Sequence, residues 1–246
     1  CSVPSTHRPI YVLLNAMSNI RIITGNIFTS KCQTVVNTVN CVGVMGAGIA
    51  LECRLRYPDM FSQYEKLCES GALDVGKLWL YKGTDRWILN FPTKKHWKYP
   101  SKEAYLRLGL EKFVQTYAEK RIESIAFPIL GAQHGGLDQE QSLGLMQHYL
   151  KGCSIPIEIY RYDPEASDDL YERFKSVVQS TPVESLKQAT GLRANSIQLI
   201  KDAVESPRVH QLNQLATFRG IGDKTLESVF AFMRQGKQPV IQNALL

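Results

Sequence analysis

The sequence lacks the spacings that would make its sulfur functional. Its six cysteines (Cys1, Cys32, Cys41, Cys53, Cys68 and Cys153) include no CxxC pair, and none stands with a histidine in the pattern of a zinc site. No metal is therefore expected. Several of these cysteines sit in apolar runs, the usual place for a buried free thiol, which fits a reducing, cytoplasmic setting. No apolar run is long enough to span a bilayer, so no membrane partner is expected. Residues 1–16 include Tyr11-Val12-Leu13-Leu14 but no basic segment followed by a full apolar core, so they do not read as a signal peptide. Met17 directly precedes the first strand-like run, and residues 1–16 are expected to be an upstream extension that is not native. Charge of one sign is also scarce. The formal net charge is +6 over 246 residues, which suits a polyanionic partner without requiring one.

What is present is concentrated between Val35 and Leu51. Thr34-Val35-Val36 is an apolar, β-branched run that reads as a buried strand. Asn37 and Asn40 follow, then the loop Gly43-Val44-Met45-Gly46-Ala47-Gly48, then the helix-like run Ile49 to Leu55. A strand, a glycine loop and a helix N-terminus together turn backbone N–H groups and the helix dipole towards an anion. The loop is not a GxGxxG dinucleotide fingerprint, since it has neither that spacing nor the later acidic residue. Alone, it has a second, less favoured reading as a turn that serves only packing.

The rest of the chain alternates strands with helices. Asn19 to Thr24 is a strand, and Pro58 opens a helix through Leu67. Leu78 to Tyr81 and Trp87 to Phe91 form a strand pair about the turn Gly83-Thr84-Asp85. The basic, aromatic loop Pro92 to Pro100 leads to a helix with Ser101 as its expected N-cap and Leu106, Leu110, Phe113 and Tyr117 as its core face. Ser124 to Leu130 is a buried strand that enters a second glycine loop, Gly131 to Leu137. Asp138 then caps a helix through Leu150, Pro156 to Tyr162 is a last strand, and Asp168 to Val178 a last helix. This order implies an α/β layered domain over about residues 17–180. Two glycine loops at the C-terminal ends of strands imply one crevice between them, shaped for a nucleotide.

Four motifs now stand in order: Gly25-Asn26-Ile27, Val36-Asn37-Thr38-Val39-Asn40, Met45-Gly46-Ala47-Gly48-Ile49-Ala50, and Gly131 with Gly135-Gly136-Leu137-Asp138. Over about Met17 to Tyr162 the chain resembles the ADP-ribose-binding macrodomain. With Thr93-Lys94-Lys95 it is similar to the branch that holds terminal ADP-ribose protein glycohydrolase and the bacterial antitoxin DarG, and Asn-Thr-Val-Asn-Cys-Val-Gly-Val-Met-Gly leans towards DarG. The resemblance implies a three-layer α/β/α domain with a mixed central sheet, and ADP-ribose as ligand or product with no other cofactor.

The resemblance also implies roles. Lys94 and Asp138 match the lysine and aspartate implicated in cleaving the ribosyl bond. Asn40 would bind the distal ribose, and Asn37 would brace the loop. Asn26 and Ile27 would meet adenine. The diphosphate would lie between Gly43, Val44, Met45, Gly46, Ala47 and Gly48 on one side and Gly131, Ala132, Gln133, His134, Gly135, Gly136 and Leu137 on the other. An amine near ribose C1″ could act as a Schiff-base nucleophile if its pKa is lowered, or could stabilise developing charge. Three features depart from the family. Asn26 stands where many members have Asp, Gln133-His134 replace small residues, and Lys95 beside Lys94 leaves the amine ambiguous. Read alone, Lys94 is a solvated lysine, Asp138 an N-cap and His134 a solvent-facing side chain.

Lys95, Trp97 and Lys98, with His96 and Tyr99, suit a nucleic-acid strand by phosphate attraction and base stacking, or form a solvated lid. Beyond Thr181-Pro182, residues 181–246 read as a small all-α domain. Leu212 to Thr225 resembles a helix-hairpin-helix, in which Arg219, Gly220, Gly222 and Lys224 would face a DNA phosphate. A helical bundle for protein contact fits nearly as well. The expected function is a hydrolase that removes ADP-ribose from a nucleic-acid base, an antitoxin-type activity with a cognate ADP-ribosyltransferase toxin as possible partner, in a monomer. The alternatives are hydrolysis of ADP-ribosyl esters on protein Glu or Asp, and a reader that binds ADP-ribose without chemistry.

Overall fold

The computed structural model describes residues 19–236. The expected extension over residues 1–16 lies outside the described residues. The elements in chain order are β1 (Ile20–Gly25), β2 (Thr34–Val39), α1 (Gly48–Arg56), α2 (Pro58–Glu69), β3 (Trp79–Lys82), β4 (Trp87–Pro92), α3 (Glu103–Thr116), β5 (Ile125–Pro128), α4 (Gln139–Leu150), β6 (Ile157–Tyr162), α5 (Tyr171–Ser180), α6 (Val183–Thr190), α7 (Ala194–Val204) and α8 (Asp223–Arg234). Short 3-10 turns lie at Ile27–Thr29, Gln133–Gly135 and Leu212–Thr217.

The strands form one six-stranded mixed sheet in the order β1-β6-β5-β2-β4-β3, with only β3 antiparallel to its neighbour. Successive side chains in a strand point to opposite faces, and the core divides accordingly. Val36 and Leu89 join Leu110, Phe113 and Met146 of α3 and α4 on one face. Val35 and Ile88 join Cys53, Met60 and Tyr64 of α1 and α2 on the other. Each fully buried side chain of this size contributes about 1.5–3 kcal/mol. The parallel strands end along one edge, so the segments after β1, β6, β5, β2 and β4 share a single crevice.

Two local expectations change. Ser101 does not cap α3: Lys102 is the N-cap and offers no side-chain bond. Ser101 is instead buried, and its N–H donates to the Gly135 carbonyl at 2.9 Å, so the second glycine loop has claimed it. Helix α5 was assigned by sequence to the α/β domain, yet its Tyr171, Phe174 and Val178 pack with α6, α7 and α8. The hydrophobic unit of the tail therefore begins before residue 181.

The tail is seated on α1. Leu55 belongs to its hydrophobic cluster, Arg234 donates to the Leu55 carbonyl, and Arg54 pairs with Asp223 at 2.9 Å. Behind these contacts lies a buried polar seam. Arg56 pairs with Glu52 at 2.6 Å and with Asp169 at 2.7 Å, and stands 3.9 Å from Asp168. Asp168 accepts from the N–H groups of Leu170 and Tyr171 and, through Oδ2, from that of Leu212 at 2.7 Å. Glu52 accepts from the Asn213 side chain at 2.7 Å.

Candidate active site

The crevice holds a cleft of about 740 Å³ that runs along the C-terminal ends of the parallel strands. Of the residues expected there, Asn26, Ile27, Asn40, Val44, Gly46, Ala47, Gly48, Lys94, Trp97, Gly131, Ala132, Gln133, His134 and Gly135 line it. Asn37, Gly43, Met45, Gly136, Leu137, Asp138, Lys95, Lys98, Arg219, Gly220, Gly222 and Lys224 do not.

The first loop is held from beneath. Asn37 is fully buried and donates to Asn90 Oδ1 at 2.9 Å, its partner in register on β4, and its amide also meets Met45 Sδ at 3.8 Å. Met45 is anchored in the core, so both residues support the loop rather than face a ligand. Asn40 ties the loop to itself: its Oδ1 accepts from the Val42 N–H at 3.0 Å and its amide donates to the Val44 carbonyl at 2.5 Å. The Tyr64 hydroxyl donates to the Asn40 carbonyl at 2.8 Å. No side chain caps α1 at Ala47, so its first N–H groups remain available to an anion.

The second loop closes over the first. Gly48 has φ +54°, and a Cβ there would stand 2.9 Å from His134 Cδ2. Only glycine fits both that backbone and the imidazole pressed against it. His134 thus lies against the first loop while remaining solvent-exposed, as expected, and its carbonyl accepts from Lys94 Nζ. Gly135 in turn leaves room for Ser101, whose Oγ would be 2.6 Å from an added Cβ.

The structure separates the two lysines. Lys94 turns into the cleft, whereas Lys95 is exposed and reaches Asp74 at 3.8 Å. Partial burial holds the Lys94 ammonium below the ordinary lysine range, which enlarges its neutral, nucleophilic fraction. Asp138 lies outside the cleft and caps α4, accepting from the Gln141 N–H at 2.9 Å. Cys41 is close to the lysine loop, but burial pushes its thiol up to about 12, so it is not a nucleophile near neutrality. Beside Lys94, Trp97 is 49% exposed and lines the cleft mouth. Its ring stacks with His96 at 5.6 Å, and Lys98 Nζ stands 5.2 Å over it.

The opposite end of the cleft holds what sequence reasoning missed. Glu52, Tyr160 and Tyr162 line it, together with Asn213, Gln214 and Thr217 of the tail. The spacing of Tyr160 and Tyr162 on one strand face was the available signal. The tail residues gave none, because they belong to a hairpin read for DNA contact.

The Macro domain family model matches residues 36–146. A solved structure, the macrodomain of Mycobacterium tuberculosis DarG, is 43% identical with a TM-score of 0.53, and the match covers 57% of this chain and 96% of that one. The chain belongs to the macrodomain family. Among curated relatives, a Mycobacterium tuberculosis protein named DNA ADP-ribosyl glycohydrolase is 47% identical over 120 residues, covering 47% of this chain and 34% of its own. A Thermosipho africanus protein, named as a DNA ADP-ribosyl transferase–DNA ADP-ribosyl glycohydrolase fusion, is 34% identical over 161 residues, covering 58% of this chain and 42% of its own. This macrodomain chain therefore spans less than half the length of those relatives. A structure described as Thermosipho africanus DarTG in complex with ADP-ribose matches with a TM-score of 0.55 and 35% identity, over 59% of this chain and 42% of that one.

Proposed function

We propose that this chain is a hydrolase that removes ADP-ribose from a DNA base. The observation that carries the proposal is Lys94, a partly desolvated amine turned into the cleft beside an exposed aromatic and basic platform. The names of the relatives support the substrate class, and the fusion relative supports a DNA-modifying ADP-ribosyltransferase as the cognate partner.

In this reading, adenosine lies at the β1 and β6 end and the diphosphate over the uncapped start of α1, between the two glycine loops. The distal ribose then meets Asn40 and Lys94 at the β4 end. The ribose opens as its ring oxygen takes a proton from solvent, the neutral Lys94 amine adds to C1″, and the amine's proton passes to the base nitrogen as the C1″–base bond breaks. Water hydrolyses the resulting imine, returns the amine and frees ADP-ribose. Trp97 stacks the neighbouring bases, with Lys98 near the phosphates. Arg219, Gly220, Gly222 and Lys224 are exposed at the hairpin that follows the cleft-lining Thr217, which supports a second DNA contact there. Asp138 is assigned a capping role, and no proton is routed through it.

The test is release of ADP-ribose from an ADP-ribosylated DNA oligonucleotide, run beside an ADP-ribosylated protein. Release from DNA is expected. Release from the protein alone would favour ester hydrolysis, and tight ADP-ribose binding without release would favour a reader.

A further inference from the structure

The matched family region ends at residue 146, yet one wall of the cleft comes from the tail. The 3-10 turn Leu212–Thr217 is locked in place from below. Gln211 is fully buried, and its amide donates to the carbonyls of Asp163 at 2.9 Å and Ala166 at 2.8 Å. The Tyr162 hydroxyl donates to Gln211 Oε1 at 3.0 Å. With the Leu212 N–H on Asp168, these bonds make the turn a fixed part of the β1 and β6 end.

The chemistry of that end is unbalanced without the tail. Asn26 is buried, and its Oδ1 already accepts from the Phe28 N–H at 2.9 Å. What it can still offer a ligand is its N–H donors, which suit a ring nitrogen but not an exocyclic amine. Adenine presents both a ring acceptor and an amine donor at that edge. The missing acceptor lies across the cleft. Asn213 donates its amide N–H to Glu52, which fixes its orientation and leaves its Oδ1 without a hydrogen bond among the described residues. Thr217 donates its hydroxyl proton to the Gln214 carbonyl at 2.8 Å and keeps its oxygen lone pairs. Gln214 itself is spent, accepting from the His210 and Gln211 N–H groups and donating to the Pro164 carbonyl.

We propose that the tail completes the nucleotide site: Asn213 Oδ1 accepts from the adenine amine, with Thr217 beside it, so that residues outside the matched family region set base selectivity. This rests on the reading that the cleft takes ADP-ribose.

Calorimetric titration of the full chain with ADP-ribose and with its hypoxanthine counterpart, in which a carbonyl replaces the amine, tests it. The unaltered protein should prefer ADP-ribose by about tenfold or more, the usual effect of leaving a buried acceptor facing another acceptor. Asn213→Ala should bring that ratio to within about twofold. Thr217→Val, at an exposed position clear of the Glu52 network, should reduce the ratio by a smaller factor, about threefold, without loss of fold by circular dichroism. An unaltered protein that binds both ligands equally, or variants that keep the full preference, would overturn the tail's role while leaving the cleft's ligand intact. Absence of ADP-ribose binding in the unaltered protein would overturn both.

Discussion

The two ends of the cleft are built in opposite ways. At the β4 end, the lysine proposed to carry the chemistry sits on a surface loop, its neighbours Lys95, Trp97 and Lys98 are exposed, and its hydrogen bond goes to another loop. At the β1 and β6 end, partly exposed walls rest on buried Glu52, Arg56, Asp168 and Gln211, which are cross-linked to segments far apart in the chain. The roles proposed for the two ends account for the difference. A reacting group must reach varied, bulky substrate and can tolerate solvent, whereas discrimination between similar bases requires polar groups that cannot rearrange.

The sharpest way to break that comparison is to unpair the buried seam. Arg56→Met should leave Glu52, Asp168 and Asp169 without their shared cation, at a cost of about 3–5 kcal/mol in urea unfolding. A loss below about 1 kcal/mol would show the seam to be no firmer than a surface pair. Next comes pH. Burial, opposed by Arg56 and reinforced by Asp168, pushes the Glu52 carboxyl from 4.5 up to about 7. A pKa raised on folding means that the folded state holds the extra proton. Its contribution is thus complete below about 4.5 and is lost as pH rises through about 7. Unfolding free energies of the unaltered protein and Glu52→Gln, compared from pH 4.5 to 7.5, should diverge by up to about 3 kcal/mol. Parallel curves would count against a protonated Glu52. The smallest effect is expected at Asp138. As a helix cap, Asp138→Ala should cost about 1 kcal/mol of stability and Asp138→Asn much less. Both should keep ADP-ribose release within about threefold of the unaltered protein, well short of the ~100-fold loss expected on removing a general acid or base.

Much of the α/β domain was legible because its signals are local. The apolar runs at Val35-Val36 and Ile88-Leu89 give buried strands, Pro58 starts α2, and Asp138 caps α4 as expected. The glycine loops likewise point to the crevice. What escaped the sequence depends on long-range contacts. Ser101 has a good capping side chain, yet its backbone is bound by Gly135. Lys94 and Lys95 are equivalent in the motif, and they are told apart only by long-range contacts, Lys94 with the His134 carbonyl and Lys95 with Asp74. The bond from Asn213 to Glu52 spans 161 positions. No spacing rule reaches that far, so a segment read as a DNA contact also lines the cleft.

The most direct measurement of this division of labour is Lys94→Ala, assayed for both turnover and ligand binding. Turnover on ADP-ribosylated DNA should fall by about a thousandfold, within the range expected for loss of a positioned catalytic side chain. ADP-ribose affinity, held by the backbone loops and the far end, should change by less than about threefold. Retained turnover, or a parallel collapse of binding and turnover, would contradict the account.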